Sequence, residues 1–205
     1  MEKALIICNG STEPAKFLRA QAKNNFVLCA DGGANIAAAA GVTPDAVIGD
    51  MDSVTAKTRT KFKKIPWLKI RNQNNTDFEK ALDFVKKSDI KKAVIVCAAG
   101  GRLDFTLSNL LATARYLPYF DIVFKSRAWE IYPINKTKKF SCRAGTRVSL
   151  LPLAACAGVS LSGLEYALKN KNLTPADTLT LSNRAVNNNF EVRIKKGLML
   201  VYIEV

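Results

Sequence analysis

The sequence predicts an α/β protein, with an N-terminal three-layer parallel-sheet domain over residues 1–126 and a C-terminal antiparallel β-sandwich domain over 127–205. Three observations predict it. Apolar strand-like runs alternate with helix-like segments as far as Ser126, the pattern of a parallel sheet covered on both faces. Beyond Ser126 the texture changes to short β-branched segments and turns, near the spacing expected of a sandwich or small barrel. No internal repeat or low-complexity linker separates the halves, so they are expected to pack directly.

In order, "ALIIC" reads as a strand, the segment near Pro14 to Lys23 as a helix, "FVLCA" as a strand and the alanine-rich "ANIAAAAG" as a helix. "DAVIG" follows as a strand, then a basic helix after Ser53, the strand "WLKI" and a helix from about Thr76 to Lys87. "KAVIVCAA", a helix from about Asp104 to Tyr116 and "DIVF" complete the first domain. In the second, "WEIYPI", "KKFSC", "RVSLLPL", "GVSLSG", "DTLTLSN", "FEVRIKK" and "LMLVYIEV" read as strands, with period-two alternation clearest in "FEVRI".

Charge and composition remove several kinds of chemistry. The net charge of +14 invites a nucleic-acid reading. It is spread evenly: 19 Lys and Arg stand against 12 Asp and Glu up to Ser126, and 12 against 5 after it. The densest cluster, "KTRTKFKK" at Lys57–Lys64, has the spacing of a solvated helix face, and with Phe62 its one aromatic residue no stacking platform is evident. A nucleic-acid partner is therefore not expected, whereas attraction for nucleotides is. Histidine is absent, which excludes Ser-His and Cys-His pairs and an imidazole base. Five cysteines without a CxxC spacing read as reduced core thiols. Met1 to Cys8 is too short for a secretory h-region and no run approaches a membrane span, so no membrane partner and a cytoplasmic location are expected.

What remains is acids at strand ends, where open α/β sheets bind ligands. "FVLCADGGAN" puts Asp31, Gly32 and Gly33 after one strand, and "AVIGDMDS" puts Asp50 and Asp52 after the next. If that backbone is extended, residues two apart face the same way and both carboxylates meet. "NQNNTDFEKAL" places Asp77 in the first turn of a helix, and "VCAAGGRLDF" brings Gly100, Gly101, Arg102 and Asp104 after another strand. Four connections converging with acids would repel one another unless a divalent cation and phosphates neutralised them, and an oxygen-only donor set suits Mg²⁺. The glycine pairs permit close backbone approach at helix N-termini, yet neither GxGxxG nor GxxxxGK[ST] occurs.

"DGGAN", "PDAVIGDMDS", "NNTDFEKAL", "GGRLDFTLSNL" and the later "LSN" and "KKGLMLV", in that order, resemble the thiamine pyrophosphokinase (thiamine diphosphokinase) family from near Leu5 to Val201. The resemblance implies a homodimer that transfers pyrophosphate from ATP to the hydroxyethyl group of thiamine, giving thiamine diphosphate and AMP. It implies Asp50, Asp52 and Asp77 as Mg²⁺ ligands. Asp31, Gln73, Thr76, Lys80, Arg102 and Asp104 would line the nucleotide and phosphate path together with Gly32, Gly33 and Gly101. Ser182 and Asn183 would meet thiamine, and Asp31 or Asp104 would orient the hydroxyl or take its proton. Three positions depart from the family pattern: it often has an acid at Asn74, His at Phe105 and Glu at Arg184. The residues alone leave open another heterocyclic alcohol as acceptor.

Overall fold

In the computed structural model, which describes residues 2–205, the strands of the first unit are buried on consecutive residues, because helices cover both sheet faces. This unit, Met1–Arg127, contains β1 (Lys3–Ile7), α1 (Ala15–Ala22), β2 (Phe26–Ala30), α2 (Gly33–Ala40), β3 (Ala46–Gly49) and α3 (Ala56–Lys61). It continues with β4 (Trp67–Lys69), α4 (Asp77–Lys86), β5 (Lys92–Val96), α5 (Leu103–Ala112) and β6 (Asp121–Lys125). All strand pairs are parallel, in the order β4-β3-β2-β1-β5-β6. The chain thus lays β1 to β4 outward in one direction, crosses back through α4, and lays β5 and β6 on the other flank of β1.

Local chemistry sets the helix ends that matter. α4 begins at a capping box: the Thr76 hydroxyl accepts from the Glu79 N–H while the Glu79 carboxylate accepts from the Thr76 N–H at 2.8 Å. This T-x-x-E arrangement fixes Asp77 in the first turn. α2 ends on Gly41 at φ 72°, whose N–H reaches back to Ala37 and Ala38 carbonyls. At its other end a Cβ on Gly33 would lie 2.0 Å from the Ile7 carbonyl oxygen, so glycine lets α2 start against the end of β1.

The second unit, Ala128–Val205, is two antiparallel four-stranded sheets. One runs β12 (Asn183–Arg184), β9 (Arg147–Pro152), β14 (Met199–Glu204) and β7 (Trp129–Ile134). The other runs β11 (Leu168–Leu173), β10 (Cys156–Ser162), β13 (Asn189–Arg193) and β8 (Lys138–Ser141). Leu150, Met199 and Val201 from the first sheet and Phe140, Val159 and Phe190 from the second form one core, with Phe140 stacked on Phe190 at 5.0 Å.

Two segments differ from the sequence-based expectation. "DTLTLSN" is mostly turn, and only Asn183 of it enters a strand. The Asp177 carboxylate accepts from the Thr174 N–H and hydroxyl, and the Thr180 hydroxyl donates to the Leu150 carbonyl, so side chains take up bonds a ladder would use. Conversely "LKNKNL" is β11, an exposed edge strand. Its lysines and asparagines mask the alternation, and Asn170 at φ 51° breaks the register with β10.

Candidate active site

β1 pairs with β2 on one flank and β5 on the other, so the connections leaving β1 and β5 run to opposite sides of the sheet. A crevice is expected outside the carboxyl ends at that point. A cleft of about 500 Å³ lies there, lined by residues that follow β1, β2 and β5 and by the start of α4. Of the sequence-predicted residues it takes in Asp31, Thr76, Asp77, Gly101 and Arg102.

Asp31, Asp50 and Asp77 place one carboxylate oxygen each within 4.8 Å of one another. Asp31 is 5% exposed, and its Oδ1 is buried without a hydrogen-bond partner. Its Oδ2 accepts from the Ser53 N–H at 3.3 Å, and its φ of 43° is a conformation few side-chain-bearing residues hold without cause. Gly49 is needed beside it: a Cβ there would lie 2.9 Å from Asp77 Oδ1 and 3.0 Å from the Asp31 Cβ. Burial pushes the Asp77 carboxyl above its ordinary pKa against the pull of Lys80, and Asp50 and Asp31 push the same way. The Lys80 ammonium, 4% exposed, donates to Asp77 Oδ1 at 2.8 Å. Three hard oxygen donors, one of them orphaned and buried, fit a divalent cation such as Mg²⁺.

The triplet differs from the set expected from sequence, which paired Asp50 with Asp52. Met51 sits at φ 72°, so the backbone is not extended there and the two side chains do not share a face. Asp52 is exposed, and its N–H donates to Asp50 Oδ1 at 3.1 Å. Asp31 takes the third place instead.

Other residues also fall differently from expectation. Gln73 is exposed on the 71–75 loop and does not line the cleft. Gly32 and Gly33 do not line it either; a Cβ on Gly32 would meet the Asn9 side chain at 2.3 Å, so both glycines serve packing against the end of β1. Asp104 and Arg102 form a two-pronged ion pair with its closer bond at 2.6 Å, both side chains exposed. The bond from Arg102 holds the Asp104 carboxyl below its usual range. The Arg102 guanidinium also lies 4.4 Å from the centre of the Phe105 ring.

In the second unit, Ser182 is exposed at φ 55°, its N–H donating to the Ser149 hydroxyl. Asn183 is 1% exposed, and its amide closes on the Tyr166 backbone: Oδ1 accepts from the Tyr166 N–H and Nδ2 donates to the Tyr166 carbonyl. Of the pair, Ser182 is the one presented to solvent.

Sequence reasoning missed Asn9, Ser11 and Asn109, which line the same cleft. "NGS" directly follows β1, so the strand-end argument that found the acids would have found Asn9 and Ser11 had it been extended to neutral polar residues. It also missed the residues that shape the acid loop. Arg59 donates to the Met51 carbonyl at 2.5 Å. Asn35 donates to the Ser53 carbonyl at 2.8 Å and accepts from the Thr55 N–H. Cys8 and Cys97 line the cleft too, but burial drives both thiols up, Cys97 to about 11, so neither is a nucleophile at neutral pH.

The comparisons with known proteins agree on one family. The thiamine pyrophosphokinase of Bacillus subtilis is 24% identical over 169 residues, 79% of each chain. Among solved structures, a thiamine pyrophosphokinase from Bacillus subtilis aligns with a TM-score of 0.88 at 20% identity, covering 99% of both chains. A thiamin pyrophosphokinase from Candida albicans aligns at 0.85 and 18% identity, covering 100% of this chain and 89% of that one. Such likenesses carry the fold. Matching "Thiamin pyrophosphokinase, catalytic domain" over residues 17–123 and "Thiamin pyrophosphokinase, vitamin B1 binding domain" over 132–199, the chain belongs to the thiamin pyrophosphokinase family and is an enzyme of that class.

Proposed function

We propose that the protein transfers pyrophosphate from ATP to the hydroxyethyl group of thiamine, giving thiamine diphosphate and AMP. The observation that carries the reading is the acid triplet with its orphaned Asp31 oxygen beside a cleft walled by Gly101 and Arg102. Asp31, Asp50 and Asp77 would hold Mg²⁺, whose chemistry here is to neutralise polyphosphate charge. Asp52, the exposed residue after Met51, stands outside that triplet.

The chain's own residues then do the positioning. Thr76 and Glu79 hold the first turn of α4, and with it Asp77, at a helix N-terminus that favours negative charge. Arg102 turns from its exposed pair with Asp104 toward charge developing on the transferred group. Gly101, with open space where a Cβ would stand, lets polyphosphate approach the backbone. Ser182 is the exposed hydroxyl available to thiamine. The thiamine hydroxyl attacks the β-phosphorus and the bond to the α-phosphate oxygen breaks, so AMP leaves.

A homodimer is proposed as well. α5 exposes Leu103, Leu107 and Leu111, at 70%, 52% and 52%, with i,i+4 spacing that makes one apolar stripe; a second copy is its proposed cover. A reduced, cytoplasmic setting is supported by five free thiols, four of them buried. Among the described residues no helix is long and apolar enough to cross a membrane.

The deciding experiment incubates the protein with Mg-ATP and thiamine and identifies the nucleotide formed. AMP together with thiamine diphosphate supports the proposal; ADP with thiamine monophosphate overturns it.

A further inference from the structure

Lys80 stands between two cavities. Its Nζ bonds Asp77, which lines the cleft already described, while Lys80 itself lines a second cleft of about 540 Å³ between the β3–β4 edge of the sheet and α4. That volume suits one small organic molecule. Ile48, Leu68 and Phe84 supply apolar wall, with Phe84 itself stacked on Phe26 at 5.7 Å and so fixed in place. Lys69 and Lys87 are exposed at the same cleft, and neither ammonium has a hydrogen-bond or ion-pair partner among the described residues.

The polar lining is biased toward an anion. Of its three ammonium groups Lys80 is paired with Asp77, and Lys69 and Lys87 meet one carboxylate, Asp83, that is committed: Oδ1 accepts from the Tyr116 hydroxyl at 2.9 Å and Oδ2 from the Asn75 amide at 3.2 Å. Lys80 is the less usual member. An ammonium has three donors, yet among the described residues Asp77 Oδ1 is the one hydrogen-bond partner of Nζ, on a side chain 4% exposed. A buried ammonium with donors to spare favours a further anionic acceptor nearby.

We propose that this second cleft binds an organic monophosphate carrying a planar heterocycle, of which a nucleoside monophosphate is the type. The ring would lie against Phe84 and Leu68, and the phosphate dianion would be matched by the cationic lining of the cleft. Because Lys80 also holds Asp77, occupancy is communicated to the acid triplet without direct contact: an anion that draws Nζ away leaves Asp77 less neutralised. By reciprocity, whatever binds the triplet changes affinity for the cleft by the same factor. This rests on the proposed reaction, whose product is AMP, and goes beyond it by giving that class of nucleotide a second site.

The test is calorimetric titration of the full chain with AMP in the presence of EDTA, beside the same titration of Lys69→Glu/Lys87→Glu. Neither position belongs to the proposed catalytic machinery, and an unchanged melting temperature shows that the variant folds. The expected result is that the variant loses one AMP-binding event, or weakens it by at least about tenfold, while thiamine-dependent turnover persists. Adenosine and inorganic phosphate alone should each bind the parent at least about tenfold more weakly, since each meets half of the site. Identical AMP isotherms for parent and variant overturn the proposal. So does loss of turnover together with AMP binding, which would make the cleft part of the substrate site. Equal binding of inorganic phosphate overturns the heterocycle.

Discussion

The cleft has an ion pair on each side, and they differ in almost every property that decides what an ion pair does. Lys80–Asp77 is drawn from one turn of α4, with the lysine 4% and the aspartate 27% exposed. Arg102–Asp104 spans the start of α5 with side chains 71% and 62% exposed. Water screens the second pair and holds it to little net stability, so Arg102 can leave Asp104 for a phosphate at small cost. The first pair is committed: removing the lysine strands the Asp77 carboxylate in a poorly solvated place. One side of the site is built to stay and the other to move.

The sharpest break of that comparison is Asp77→Asn or Asp50→Asn, each expected to lower thiamine-dependent turnover by about 10³-fold through loss of charge stabilisation. Melting temperature should stay level or rise for Asp50→Asn, because like charges 4.8 Å apart or less are relieved. Turnover within a few-fold of the parent would remove the triplet from the mechanism. Next in size, Lys80→Met is expected to cost about 3 kcal/mol at neutral pH, the lower end for breaking a buried pair, read by urea unfolding. A loss no greater than a surface substitution gives would show that Asp77 is solvated by other means.

Acidity separates the two sides by sign. The folded Asp77 carboxyl lies above its ordinary value, so the charge it carries at neutral pH works against folding. Its contribution is fully favourable below the ordinary carboxylate value and is lost as pH rises through the raised one. Asp104 is lowered, so its contribution exists above the ordinary value and disappears as pH falls through the depressed one. Melting curves against pH should therefore diverge: the Asp77→Asn variant gains on the parent as pH rises above about 4, and Asp104→Asn falls slightly behind the parent as pH rises toward about 4 at low salt. Parallel curves for the two variants would refute the assignment.

Smaller still, Asn35→Ala should cost about 1 to 2 kcal/mol of stability for its lost bonds to Ser53 and Thr55. It should also weaken Mn²⁺ binding, measured by paramagnetic titration, more than it changes the KM for thiamine. An equal effect on both would make it a merely structural residue. The smallest expected effect is on the exposed side: a double-mutant cycle on Arg102 and Asp104 should show no coupling in unfolding at physiological salt, although Arg102→Ala lowers turnover.

Much of this architecture was legible in sequence, for reasons that also explain the gaps. β1 to β6 announced themselves because strands buried on both faces must be apolar throughout, and Thr76 announced α4 because a capping box is local. The acids at strand ends were legible because a composition without histidine leaves few other chemistries. The membership of the triplet was not. It depends on a single backbone angle at Met51 and on a bond from Arg59, eight residues on, that no short-range pattern records. The closing of the Asn183 amide on Tyr166, 17 residues away, leaves no local pattern, and β11 is hidden because an edge strand with lysines has no buried face to betray its period.

The return of the chain through α4 has a consequence for synthesis. While only residues up to β4 have emerged, β1 pairs with β2 alone, and the flank carrying Leu5, Ile6 and Ile7 has no neighbour until β5 is made. The nascent protein therefore carries an open, wholly apolar strand edge through the time needed to translate about 25 residues, a few seconds at ordinary elongation rates. That edge is the segment a chaperone would most usefully shield, and a truncation ending before Lys92 would be expected to aggregate through it rather than fold as a smaller sheet.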